Sequence, residues 1–550
     1  MKIFFRRIIA VIVLSAVSPL FPLDFFSAGP PQELAAALEN AMTDEQALAQ
    51  VFMLGWVGAE PSPLIMDWIR LRNVGGVKIF GWNTADTQRL ARTVGELQTA
   101  SLAGPFGIPL LVATDQEGGW VRHVKGSTSE TPGNMAIGAS GYPRDAYLAG
   151  FYIGKELALL GVNMNFAPTV DLFTNRDSQL IGPRAFGNDP VRAGILGAAF
   201  MRGQLAAGVI PTAKHYPGHG DTDLDSHGTL PRINISFQTL WDRELVPYRM
   251  LSAEGLPAIM SGHLAFPMTQ AASAPASLSS WFLRDVLRDR IGFRGVVITD
   301  DLMMVGATSF MGSISRTAKQ ALVAGNDIIM FSSTPSLYDS VWTSLVNSMR
   351  DEEDFRMIVR SAARRILELK LTYLRGNLSV PYIPDLKRVE SEIPDPEGSA
   401  FFLNLAARSV TIVSPSRPAS VFPLTRENSG RVLLAGKYPD FFTYGRAAFP
   451  NAAVFRYSIS AEPSEIIPYA RNADTVIFCL SDGADLRILR SLQQLNKKVI
   501  VLSVLSPVFL ESVPWVTGAV AVYSYAPESF AAGFSAIIGR IPAFGTLPYD

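Results

Sequence analysis

Lys214–His227 reads KHYPGHGDTDLDSH and holds three of the chain's five histidines, with three aspartates, two glycines and a proline. Histidine is the side chain best suited to proton transfer near neutrality, so this density points to acid–base chemistry. For any one of these residues, a polar loop satisfying its own backbone is the plainer explanation. Within the loop, Asp225 precedes His227 by two positions, which in an extended or turned segment brings both to one side. A carboxylate beside an imidazole fixes its tautomer and stabilises its protonated form, so Asp225 and His227 form a candidate general acid/base. D-x-H recurs by chance and takes its weight from the surrounding loop.

Asp300, in RGVVITDDLMM, ends an apolar run, where a carboxylate can serve as nucleophile or electrostatic stabiliser. Asp301 follows directly and should point the other way if strand geometry persists; a strand-end aspartate can also simply cap a turn. Asp115, in VATDQEGG, offers acceptors for sugar hydroxyls or braces the Gly118–Gly119 turn. Arg184 (IGPRAFG), Lys214 and His215 supply donors for hydroxyls or a carbonyl. For Arg184 the structural alternative is an ion pair with Asp171 or Asp177. Lys214 sits in an otherwise apolar run and needs a polar partner. His219 and Asp221 serve to shape the loop. His215-x₃-His219-x-Asp221 has ligand-like spacing, but Pro217 and two glycines deny it a helical register, so no metal is expected.

These residues sit where barrel geometry would put them. Apolar runs recur at FMLGWV (52–57), GVKIF (76–80), PLLVATD (109–115), VNMNFAP (162–168), VIPTAKH (209–215), PAIMSGH (257–263), GVVITDD (295–301) and DIIMFS (327–332). They are apolar throughout, as strands buried on both faces are, and amphipathic stretches such as PVRAGILGAAFMRGQLAAG separate most of them. Eight such units predict an α/β fold, a (β/α)8 TIM-type barrel over residues 40–375, with a doubly wound sheet as the alternative. Six runs end in polar residues, among them Asp115, His215, His263 and Asp300, and the C-terminal strand ends of barrels carry active sites. Thr43–Gln46 has capping-box form. Residues 376–399, with four prolines and little periodicity, read as a linker. Residues 400–550 repeat the strand–helix pattern as a smaller α/β sandwich domain without histidine, and carry no expected catalytic role.

The formal net charge of −1 gives no reason to expect nucleic acid or an anionic membrane as partner. The single cysteine, Cys479, lies in an apolar run and allows no internal disulfide. Lys2, Arg6 and Arg7 precede the apolar run Ile8–Val17, and Pro19 ends it. Residues 1–28 therefore predict an export signal, cleaved or kept as an anchor, and a periplasmic or extracellular protein.

Together, ATDQEGGWV, NFAPTVDL, IGPRAFG, KHYPGHGDTDLDSH, MSGHL and GVVITDDLMM resemble, in order and spacing, the family 3 glycoside hydrolases over roughly residues 45–375. The D-S-H ending of the loop is similar to their β-N-acetylhexosaminidase branch. The resemblance implies a retaining, exo-acting β-N-acetylglucosaminidase acting on a carbohydrate such as a peptidoglycan fragment. Asp300 would be the nucleophile, His227 held by Asp225 the acid/base, and Asp115, Arg184, Lys214 and His215 the groups binding N-acetylglucosamine. No metal or organic cofactor is implied, and phosphate is conceivable as acceptor beside water. A β-glucosidase or other exo-glycosidase of the family, or a non-catalytic cell-wall sugar-binding protein, are the alternatives. Trp120 departs from the small, aliphatic or basic residue that many relatives carry after DQEGG.

Overall fold

The computed structural model describes residues 23–84, 86–222, 228–413, 421–458 and 460–549. Eight parallel strands close into a barrel in chain order: β1 (Phe52–Gly55), β2 (Gly76–Ile79), β3 (Leu111–Thr114), β4 (Met164–Asn165), β5 (Ile210–Tyr216), β6 (Ala258–Ser261), β7 (Val296–Asp301) and β8 (Ile328–Phe331). Closure comes from β1 pairing with β8, Phe52 opposite Ile329. Each of the eight expected runs contains one strand. They are apolar on both faces because side chains inside the barrel and helices outside it bury both.

Helices on the outer ring are punctuated as the sequence predicts. Gln46 N–H donates to Thr43 Oγ1 (3.2 Å) and Thr43 N–H to Gln46 Oε1 (2.9 Å), the reciprocal capping box that starts helix Asp44–Gln50. The charged segment before residue 374 forms the helix Glu353–Tyr373, whose buried stripe Phe355, Val359, Ile366 and Leu367 seals the barrel.

The stretch 376–399, expected as a linker, carries the helix Leu386–Glu392 and the first turn of helix Pro396–Ser409. Val389 and Ile393 are buried in the barrel's main core, so this segment packs on the barrel. Beyond it lies a second sheet of β9 (Thr411–Val413), β10 (Val432–Gly436), β11 (Ala453–Arg456), β12 (Thr475–Leu480), β13 (Lys498–Ser503) and β14 (Gly518–Ala521). Its spatial order is β9-β14-β13-β12-β10-β11, parallel except for the β9–β14 pair. Separate apolar clusters on the sheet's two faces give the three-layer arrangement. Cys479 is buried in β12.

A shared apolar cluster joins the two units: Met135, Phe173 and Ile181 of the barrel loops meet Ala521, Tyr523 and Tyr549. Arg408 adds a 2.6 Å ion pair to Asp145 across the same junction. No helix among the described residues is long and apolar enough to cross a membrane. Most of the expected export signal, residues 1–22, lies outside the described residues.

Candidate active site

The strand ends converge on a cleft of about 250 Å³ that includes Asp115, Glu117, Arg184, Lys214, His215, Asp300 and Asp301, with Trp120 and His123 nearer solvent. Lys214 and His215 are consecutive in β5, yet both reach the cleft. The β5–β6 register shifts between Ala213 and Tyr216, and such a bulge re-aims side chains that regular pleating would send to opposite faces.

Asp115 and Glu117 each bridge two cations. Lys214 Nζ lies 2.5 Å from Asp115 Oδ1 and 2.6 Å from Glu117 Oε1. Lys78 Nζ takes the other Asp115 oxygen at 2.7 Å. Arg184 grips Glu117 with two parallel bonds, Nε to Oε2 at 2.9 Å and Nη2 to Oε1 at 2.8 Å. Burial by itself would raise both carboxyls. Lys214 and Lys78 outweigh it at Asp115, holding it well below the ordinary carboxylate value. Arg184 and Lys214 outweigh it at Glu117, bringing that group down to about 2. Both are therefore anions at neutral pH. Of the two, the Asp115 side chain keeps 17% exposure and Glu117 only 1%, so Asp115 is the one open to the cleft and Glu117 stands behind the cations.

His215 is set from the opposite side. Its Nδ1–H donates to Asp171 Oδ2 at 2.7 Å, leaving Nε2 to accept from Arg184 Nη2 at 3.4 Å. Asp171 also accepts the backbone N–H of His219 at 2.7 Å and is fully buried. Asp171 thus fixes both the imidazole tautomer and the start of the histidine-rich loop. Arg184 pairs with Glu117, in place of the Asp171 or Asp177 partner considered from sequence. Gly220 lets the loop backbone lie against the barrel, since a Cβ there would stand 1.6 Å from the Leu172 carbonyl oxygen.

The two aspartates of ITDD divide cleanly. Asp301 Oδ1 accepts backbone N–H groups from Met303 and Ser332, each at 3.0 Å, tying the end of β7 to the end of β8. Asp300 accepts a hydrogen bond from the Asp301 N–H at 2.8 Å and otherwise faces the cleft. Burial pushes its carboxyl up, but His215, His263, the Asp301 N–H and Lys214 together hold it below the ordinary value. Asp300 is an ionised carboxylate beside donors, as a nucleophile must be.

The remaining expected residues sort as follows. Asp225 and His227 lie outside the described residues. His263 donates Nε2–H to the Asp301 carbonyl at 3.0 Å and its Nδ1 meets Ser277 Oγ at 2.7 Å, a buried brace behind the cleft. Asp221 pairs with Arg243 at 3.0 Å. His219 is buried, and its ring nitrogens have no hydrogen-bond partner among the described residues. Burial first, then His215, brings it down to about 4, so it is neutral.

Sequence reading passed over three groups. Lys78 is a lone lysine in an apolar run, a signal noticed for Lys214 and equally valid here. Glu117 lies two positions after Asp115. Asp171 was weighed only as an arginine partner. His123 also enters, with Nδ1 3.2 Å from Lys78 Nζ, and burial ahead of Lys78 brings it down to about 4.

A family model described as the glycosyl hydrolase family 3 N-terminal domain matches residues 44–369. Beta-hexosaminidase A of Pseudoalteromonas piscicida is 30% identical over 404 residues, which span 65% of this chain and 67% of that protein. The beta-hexosaminidase of Tolumonas auensis is 36% identical over 282 residues, 50% of this chain and 81% of that one. Among solved structures, a glycoside hydrolase family 3 beta-N-acetylglucosaminidase from Paenibacillus sp. str. FPU-7 superposes with a TM-score of 0.82 at 28% identity. The match covers 92% of this chain and 99% of that one, both domains included.

Proposed function

Because the chain belongs to glycosyl hydrolase family 3, in its β-hexosaminidase branch, we propose that it is a retaining, exo-acting enzyme removing terminal β-linked N-acetylglucosamine. The observation that carries this reading is Asp300, an ionised carboxylate free to face a cleft lined by Asp115, Arg184, Lys214 and His215.

In this reading a terminal sugar enters with its hydroxyls on Asp115, Lys214 and Arg184. Asp300 attacks the anomeric carbon as the bond to the leaving oxygen breaks, and His227, oriented by Asp225, protonates that oxygen. A glycosyl ester on Asp300 results. Water then attacks the same carbon, His227 takes its proton, and the Asp300–carbon bond breaks, restoring the starting configuration. Asp300 needs no proton, and an imidazole with a reference pKa of about 6.5 can both give and take one near neutrality. Peptidoglycan fragments are the proposed natural substrates and the periplasm or exterior the proposed location, supported by the basic–apolar pattern of residues 2–17.

Two measurements test the reading. Hydrolysis of aryl N-acetyl-β-glucosaminides should exceed that of aryl β-glucosides, and a preference for the plain glucoside would overturn the substrate assignment. Mass spectrometry after reaction with a fluorinated N-acetylglucosamine analogue should place the adduct on the peptide containing Asp300.

A further inference from the structure

A cleft of about 430 Å³ opens at the other end of the barrel from Asp300, where β7 and β8 begin. Arg284 and Arg288 reach it from the helix Trp281–Ile291, Arg294 from the turn into β7, and Arg365 from the helix Glu353–Tyr373. Met357 and Ile358 supply an apolar wall. The volume falls within the roughly 300–1,000 Å³ of small-molecule sites.

The charge there is one-sided. Among the described residues no carboxylate lines the cleft. Behind it, Asp327 is fully buried and both its oxygens are taken: Oδ2 by Arg288 Nη2 and the Val297 N–H, each at 2.8 Å, and Oδ1 by Arg365 Nε at 2.7 Å. One carboxylate thus answers four guanidiniums. Arg284 and Arg294 bond only carbonyl oxygens among the described residues, Val323 at 2.7 Å and Arg288 at 3.3 Å. Asp285 and Asp289, on the same helix as Arg284, are exposed and stand outside the lining. Burial sets Arg288 below the ordinary guanidinium value, Asp327 pulls it up, and Arg365 and Arg294 push it down again, so the positive charges act on one another.

These heads are also held in place, unlike those of free surface arginines. Arg288 Nη1 donates to the Gly295 carbonyl at 2.6 Å and the Phe293 carbonyl at 3.2 Å. Gly325, with a positive φ of 123°, keeps Arg284 against the turn before β8, since a Cβ there would stand 3.3 Å from Leu283 Cβ and 3.4 Å from Arg284 Cγ. Guanidinium forks fixed in this way match phosphoryl oxygens two at a time. Three uncompensated charges favour a dianion over a single carboxylate, and the apolar wall has room for a small organic group beside it.

We propose that this cleft binds a phosphoryl group carried on a small organic moiety, gripped by Arg284, Arg294 and Arg365. Bound there, the anion ties together the starts of β7 and β8, whose far ends lead to Asp300 and Ser332. A soluble phosphate ester and a phospholipid headgroup offer the same chemistry. The site stands independently of the sugar assigned to the first cleft.

Two measurements on the full chain test it: calorimetric titration with glycerol 3-phosphate, and cosedimentation with phosphatidylglycerol vesicles against phosphatidylcholine vesicles. Substituting Arg284→Ala and Arg294→Ala together should weaken the binding at least tenfold, through the charge-assisted bonds lost with them. Both side chains are exposed and neither holds a carboxylate, so the fold does not depend on them. A tenfold loss with glycerol 3-phosphate supports the site as one for soluble esters. The same loss with phosphatidylglycerol vesicles alone supports it as a headgroup site. Binding of neither probe, or a loss below tenfold with both, overturns it.

Discussion

Asp301 gives its carboxylate to two backbone amides, while Asp300 keeps its own for the cleft. Substitutions should therefore separate activity from stability. Asp300→Ala should lower kcat/KM by about 10⁴-fold or more with the melting temperature nearly unchanged. Asp301→Ala should cost about 1–2 kcal/mol in denaturant unfolding, through two lost bonds to backbone amides, one exposed and one partly buried, with a smaller kinetic loss. Similar kinetic losses in the two variants would remove the distinction. Glu117 makes a second residue-scale case. Its carboxyl sits at about 2 when folded against an ordinary 4.5. A lowered folded value means stability that is present above pH 4.5 and lost as pH falls toward 2. Glu117→Gln leaves Arg184 and Lys214 short of a buried counter-charge, so it should destabilise by about 3–5 kcal/mol at pH 7. The wild-type and variant stabilities should converge as the pH is lowered through that window. A constant difference down to acid pH would show that the pair's charge is immaterial.

At the scale of elements, the loop after β5 is the one on which the proposed mechanism places proton transfer. It leaves the barrel anchored at Asp171, then at Arg243, which contacts Asp221 at 3.0 Å and Glu244 at 2.6 Å. Gly218, with a positive φ of 137°, passes so close to Glu244 that a Cβ would stand 2.8 Å from that side chain. Burial raises Glu244 to about 7, with Arg243 opposing the rise. Arg243→Ala should thus free the stretch leading to His227, lowering kcat about tenfold on alkyl glycosides, whose departure needs protonation. Activated aryl glycosides should be far less affected. Equal losses on both substrate types would mean that the anchor positions the sugar and not the acid.

Over the whole molecule, the two domains are held by a chain segment as well as by their faces. Gly545 N–H bonds the Val410 carbonyl, Thr546 N–H the Ala139 carbonyl, and Asn188 N–H the Pro548 carbonyl, so residues 545–549 lie across the junction. Tyr549 packs edge-on against Phe173 at 5.2 Å between ring centroids. Gly187 permits this approach, since a Cβ there would fall 2.1 Å from the Pro548 oxygen. Deleting residues 545–550 should lower the melting temperature by about 3–6 °C. An unchanged melting curve would show that the domain faces hold without it.

The eight barrel strands were legible because double burial imposes an apolar run on a local stretch, whatever the rest of the chain does. The strand-end positions of Asp115, Lys214, His215 and Asp300 followed, since a barrel gathers those ends at one rim. The helical stretch within 376–399 was not legible: its contacts are with a distant core surface and leave little local periodicity. Partners within the cleft were likewise hidden. Glu117 and Arg184 stand 67 positions apart, and Asp115 and Lys214 stand 99 apart, so only barrel closure decides which charge meets which. The choice between Asp300 and Asp301 also waited on β8, whose Ser332 amide claims the second carboxylate. Sequence by itself determined the barrel, its active rim and the chemistry available there, because those depend on residue type and local pattern. Tertiary structure decided the ion pairs, which of two adjacent aspartates keeps its carboxylate for the cleft, and the junction of the two domains, because each is a contact between segments that only folding brings together.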